Sequence, residues 1–118
     1  MKKAITVIVL ALLTATTFAQ EKNKKVTMEV DGVCEMCKIR IEKAALGVKG
    51  VKYTIWDIPS HQLSLIIDEN KTDQMQIKTA LVTAGHDTKE LKATEEAYNK
   101  VMPCCKYRDE NVVKDHKN

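Results

Sequence analysis

The chain has 118 residues, with 19 Lys or Arg set against 16 Asp or Glu, four cysteines and only 4% aromatic residues. A chain of this length supports one domain with a modest core. Charges of both signs are interspersed and aromatics are few, which excludes a nucleic-acid-binding surface.

Lys2 and Lys3 open the chain, Ala4 to Leu13 is an almost unbroken apolar run, and small residues lead to Thr17-Phe18-Ala19. This is the pattern of a cleavable signal peptide over residues 1–19, and the run is too short to span a membrane. Cleavage removes two lysines and no acid, leaving 17 basic residues against 16 acidic ones and a mature net charge of about +1. The Lys-Lys start is of a bacterial kind, so the mature chain is expected in a periplasm, without a membrane span.

After a polar leader, Val26, Met28 and Val30 alternate with Thr27 and Glu29, the period-2 signal of a strand with one buried face. Ile41, Ala44, Ala45 and Val48 then recur at helical spacing, with Lys38, Arg40, Glu42 and Lys43 on the opposite face and Gly47 and Gly50 at the stop. Val51 to Ile58, the Pro59-Ser60 turn, and Leu63, Leu65 and Ile67 read as a hairpin. Thr72 or Asp73 can cap a second helix through Ile77, Ala80, Leu81 and Ala84, ended by Gly85. A short strand is expected around Thr88 to Lys92, and a further helix from Thr94 to Val101, stopped by Pro103. The last ten or so residues are polar and are expected to lack fixed structure. Strand, helix, strand, strand, helix, strand is the α+β, ferredoxin-like βαββαβ order, over residues 24–93, followed by a C-terminal helical extension over 94–118. Trp56 and Tyr53 are expected to pack on the sheet.

Four cysteines in an exported chain would ordinarily imply two disulfides. Here Cys34 and Cys37 form Cys-x-x-Cys, and Cys104 and Cys105 are adjacent, so neither pair closes a loop that staples a fold. Cys34 and Cys37 lie between a strand and a helix start, where free amide hydrogens and partial positive charge favour thiolate over thiol. Two thiolates suit near-linear binding of a soft ion, Cu(I) or Hg(II), whereas Zn(II) prefers four ligands. If the extension folds back, Cys104 and Cys105 join the site and admit Zn(II), Cd(II) or a small Cu(I) cluster. The rival readings, ranked below that one, are redox partners of the first pair and then exposed thiols with no role.

The Cys34-Glu35-Met36-Cys37 turn, the Ile41-Glu42-Lys43-Ala44 helix, Gly50-Val51 and Ala84-Gly85-His86 together resemble the heavy-metal-associated domain. That family includes periplasmic mercury-binding proteins, copper chaperones and the metal-binding modules of transport ATPases. The resemblance runs from about Val26 to Ala93. It implies a metal held by Cys34 and Cys37, with His86 in the loop that faces the site and so a candidate third ligand. The sequence departs from the family in having Val33 where a methionine usually precedes the first cysteine. Met36 lies inside the motif instead and is expected to pack beneath the loop, with a weak ligand role as the lesser alternative.

These features point to a periplasmic binding protein and not an enzyme. It would be a monomeric metallochaperone that passes a soft ion to a metal-transporting membrane protein or another carrier by thiolate exchange. The runner-up is a thiol–disulfide oxidoreductase, against which stand the lack of a Trp-Cys opening and an element order foreign to a thioredoxin core. A metal-responsive sensor or interaction module, in which bound metal orders the extension, is the third reading. Lys38, Arg40, Lys43, Lys49 and Lys52 read as a solvated charged face.

Overall fold

The computed structural model describes residues 20–117; the expected signal peptide lies outside them. Among the described residues no helix is long and apolar enough to cross a membrane. The elements are β1 (Lys24–Glu29), α1 (Glu35–Leu46), β2 (Val51–Trp56), β3 (Gln62–Ile67), α2 (Gln74–Thr83), α3 (Glu95–Asn99), a 3-10 turn (Pro103–Cys105) and α4 (Glu110–Lys117). The fold is α+β, as expected. An antiparallel sheet of order β1-β3-β2 is covered by helices, and it places β3, with the most continuous apolar sequence, at the centre.

Leu63, Leu65 and Ile67 of β3 all point into one core with Val26 and Met28 of β1, Ile41 and Ala45 of α1, and Ile77 and Leu81 of α2. Burying each large aliphatic side chain contributes about 1.5–3 kcal/mol, so this shared face dominates the stability of the domain. Asp73 caps α2 by accepting a hydrogen bond from the Gln76 N–H at 2.9 Å. At the other end Gly85 turns the chain with φ +101°, and a β-carbon there would lie 2.7 Å from Val101 and 2.8 Å from the Ala97 carbonyl. The helix stop is thus also where the C-terminal extension presses against the domain.

Tyr53 departs from expectation, being exposed on the outer sheet face. The cause is a bulge in β2. Val51 pairs with Ile67 but Tyr53 already pairs with Ile66, so Lys52 is an extra residue. One inserted residue exchanges the two faces of a strand. Beyond it Trp56 turns inward and Tyr53 and Ile55 turn outward. Trp56 is buried, as expected, and its indole N–H donates to the carbonyls of Val30 (3.0 Å) and His61 (3.2 Å).

The expected strand at Thr88–Lys92 shrinks to a single antiparallel bridge, Val30 to Thr88. Its backbone is engaged elsewhere: the Thr88 N–H donates to the Leu91 carbonyl at 2.8 Å, and the Ala93 N–H donates to the Asp87 carboxylate at 2.8 Å. The expected helix at Thr94–Val101 forms over Glu95–Asn99, capped by the Thr94 hydroxyl. The final segment, expected to lack structure, instead forms α4, whose Val112 and Val113 pack against the core. Tyr98, Val101 and Cys105 are buried within that core. The extension is therefore folded onto the domain along most of its length.

Candidate metal centre

Cys34 is the N-cap of α1, with φ −143° and ψ 176°, and its carbonyl accepts the Lys38 N–H at 3.0 Å. No side chain caps this helix start, so the Cys34 sulfur stands where the first-turn amides are free. Cys37 sits on the inward face of α1, one turn before Ile41, and is fully buried. Gly32 makes the loop's approach feasible: a β-carbon there would lie 2.9 Å from the Trp56 ring and 3.0 Å from the Cys37 β-carbon. Val33, in the place of the family's methionine, is buried, whereas Met36 is exposed and does not pack beneath the loop. Position 36 lies on the first turn of α1 with its side chain turned to solvent, while Val33 belongs to the buried core.

The Cys34 and Cys37 sulfurs are 3.5 Å apart. Across the site, the turn Pro103–Cys105 brings the Cys105 sulfur to 3.1 Å from that of Cys34 and its carbonyl to 4.0 Å from the Cys37 sulfur. Cys104 follows at 3.9 Å from Cys105, and the sulfurs of Cys34, Cys104 and Cys105 all lie within 4.8 Å of one another. All four thiols are free. They are graded in exposure, with Cys37 and Cys105 buried, Cys34 half-buried and Cys104 at the surface.

Their acidities differ accordingly. Partial burial pushes the Cys34 thiol up, but the Cys105 sulfur and the backbone N–H groups of Cys37 and Met36 outweigh it, so Cys34 ionises below its ordinary value. Burial dominates at Cys37 and raises it. Burial and the two neighbouring thiols drive Cys105 up strongly. Cys34 is thus the sulfur prepared to attack an incoming ion.

His86 is not brought to the cysteines with a free nitrogen. Its ring is fully buried, with Nδ1 2.9 Å from the Asp31 carbonyl and Nε2 3.4 Å from the Arg40 guanidinium. A guanidinium only donates, so Nε2 accepts and Nδ1 carries the proton. Burial, aided by Arg40, lowers the imidazole pKa to about 4. In this arrangement His86 is a neutral packing group, stacked on Tyr107 at 5.5 Å.

Residues absent from the sequence reasoning hold the extension in place. The Tyr107 hydroxyl donates to the Gly85 carbonyl at 2.6 Å and accepts from the Asp87 N–H at 2.9 Å. Arg108 grips both oxygens of the Asp87 carboxylate, at 2.7 and 3.1 Å, and donates to the Ala93 carbonyl at 2.9 Å. Its guanidinium also lies 4.3 Å above the Tyr98 ring. The one signal for this latch in the sequence is an aromatic and an arginine side by side in an otherwise polar tail.

No protein-family model matches the sequence, and no curated protein matches it. Solved structures do match. The CopZ metallochaperone is 27% identical, with a TM-score of 0.53, over 55% of this chain and 98% of that one. Oxidised MerP from Ralstonia metallidurans CH34 is 28% identical, with a TM-score of 0.54, over 56% of this chain and 93% of that one. The water-soluble region of the P-type ATPase CopA from Bacillus subtilis is 25% identical, with a TM-score of 0.53, over 60% of this chain and 47% of that one. The chain has the ferredoxin-like fold of heavy-metal-associated domains and resembles the mercury and copper binders among them.

Proposed function

We propose that this protein is a periplasmic metallochaperone that carries a soft cation, Cu(I) or Hg(II), and releases it by thiolate exchange. The observation that supports this most directly is the pairing of the Cys34 and Cys37 sulfurs, 3.5 Å apart, at the N-terminus of α1 in a fold shared with CopZ and MerP. Cys34, half-buried and ionising below its ordinary value, makes the first bond to the ion. Cys37 makes the second. The acceptor is a metal-transporting membrane protein or another carrier, a reading supported by the likeness to a P-type ATPase module. Transfer passes through an intermediate in which donor and acceptor thiolates share the ion, so no catalytic base is needed and the protein acts as a carrier, not an enzyme. The Cys34–Cys37 pair alone does not suit Zn(II), which prefers four ligands and would need Cys104 and Cys105 as well. Export is supported by the Lys2-Lys3 start, the Ala4–Leu13 apolar run and Thr17-Phe18-Ala19.

Native mass spectrometry of the reduced protein with Cu(I), Hg(II) and Zn(II), beside Cys34→Ser, tests the proposal. Tight binding of Cu(I) or Hg(II) that is lost in Cys34→Ser is expected. Equal binding of every ion by Cys34→Ser and the parent would sink it.

A further inference from the structure

Resting on the metallochaperone reading, we infer that the C-terminal turn completes the site. The ion is held by three thiolates, with Cys105 as the third, and leaves through Cys104. A linear dithiolate and a trigonal trithiolate require different sulfur spacings. With metal–sulfur bonds of about 2.3 Å, as in zinc thiolates, two sulfurs on opposite sides of an ion lie about 4.6 Å apart, and three around it lie about 4.0 Å apart. The spacings here are 3.5 Å for Cys34–Cys37, 3.1 Å for Cys34–Cys105 and 3.9 Å for Cys104–Cys105. Both spacings from Cys34 lie nearer the trigonal value, which an ion reaches by spreading Cys34–Cys37 by about 0.5 Å and Cys34–Cys105 by about 0.9 Å.

Cys34 and Cys105 are central to the cluster. Cys37 lies on the buried side, its sulfur 3.5 Å from that of Cys34 and 4.0 Å from the Cys105 carbonyl, and Cys104 lies on the exposed side, its sulfur within 4.8 Å of those of Cys34 and Cys105. An ion in the inner set, Cys37, Cys34 and Cys105, reaches the outer set, Cys34, Cys105 and Cys104, by exchanging a single ligand. The metal–sulfur bond to Cys104 forms as that to Cys37 breaks. The Cys104 thiol proton goes to solvent, Cys37 takes a proton from solvent, and the metal keeps its oxidation state. Two sulfurs hold the ion throughout, and the last one bound is the one an acceptor can reach.

Cys105 is held at the site with precision. Its N–H donates to the Met102 carbonyl at 2.8 Å, closing the turn. Immediately afterwards, Tyr107 and Arg108 bolt the chain to Gly85 and Asp87.

X-ray absorption of the anaerobic Cu(I)-loaded protein counts sulfur ligands directly. Three are expected in the parent and in Cys104→Ser, and two in Cys105→Ser. Two in the parent, or three in Cys105→Ser, would overturn the inference while leaving the metallochaperone reading intact. That reading fails separately, if Cys34→Ser binds as the parent does. The double variant Tyr107→Phe with Arg108→Ala retains every cysteine and releases the turn, and a fall below three sulfurs is expected there too; an unchanged count of three would contradict the latch. Handover of Cu(I) to bicinchoninate should be at least tenfold slower in Cys104→Ser, and an unchanged rate would remove Cys104 as the exit.

Discussion

Cys34 and Cys105 are separated by 71 positions in the chain, and their sulfurs are 3.1 Å apart. The contact joins the loop before α1 to the turn after α3, and it sets the reactivity of both thiols in opposite directions. Cys34 is partly accessible and ionises readily, while burial and its thiol neighbours keep Cys105 protonated. Alkylation by iodoacetamide at neutral pH, followed by peptide mass spectrometry, should therefore label Cys104 and Cys34 first, with Cys37 and Cys105 at least tenfold slower. Labelling of all four at one rate would contradict this order.

The Arg108–Asp87 pair fastens the extension. Asp87 is almost fully buried and Arg108 about a quarter exposed, so the pair is only partly screened. Burial pushes the Asp87 pKa up, but the Arg108 guanidinium and the Ala93 N–H outweigh it and hold the carboxyl below its ordinary value. A depressed carboxylate pKa contributes stability above the unfolded value that is lost as pH falls through the folded value. Arg108→Ala leaves Asp87 without its charged partner and should cost about 2 kcal/mol. Urea unfolding of the parent and variant at pH 7 measures it, and a difference within error would show the latch to be energetically idle.

Most of the domain was legible because its core follows simple periods. Leu63, Leu65 and Ile67 announce a half-buried strand, and Ile77, Ala80, Leu81 and Ala84 a helix face. What was not legible arises from single residues acting at long range. Nothing around Lys52 announces the bulge that turns Tyr53 outward. Thr88 to Lys92 is only a weak strand by its residues, and the side chain of Asp87 claims the Ala93 N–H and folds the segment back. Cys34 and Cys37 were nominated by their spacing, their place at a helix start and the resemblance of the segments around them. That Cys105 meets them depends on Tyr107 and Arg108 finding Gly85 and Asp87, a tertiary match that no local pattern encodes. His86 shows the converse. The family resemblance made it a candidate ligand, but Asp31 and Arg40 occupy both of its nitrogens.

His86 also gives the domain a pH dependence of definite sign. Its folded pKa of about 4 lies below the ordinary 6.5 because burial and the Arg40 charge disfavour the imidazolium, against the opposing pull of the Asp31 carbonyl and the Asp87 carboxylate. Between those values the unfolded chain binds a proton that the folded chain does not. Stability from this group is therefore full above about pH 6.5 and declines as pH falls towards 4, by up to about 3 kcal/mol. Urea midpoints of the parent should fall across that window, and those of His86→Gln should fall much less. Parallel curves would assign the acid sensitivity in that window to groups other than His86.

Gly32→Ala tests how tightly the metal loop is fitted to the core. Gly32 has no positive φ, so the substitution carries no penalty from backbone handedness, and its effect must come from space. The added methyl would meet the Trp56 ring at 2.9 Å and the Cys37 β-carbon at 3.0 Å. Trp56 cannot retreat easily, being buried with its indole N–H shared between the Val30 and His61 carbonyls. The loop must therefore move outward, carrying Cys34 with it, at an overpacking cost of about 1–3 kcal/mol. A lower melting temperature and at least tenfold weaker Cu(I) affinity are expected together, since the same displacement that relieves the clash separates the Cys34 sulfur from Cys37 and Cys105. Loss of stability with undiminished affinity would mean that the thiols reach the ion without the loop being held in this position.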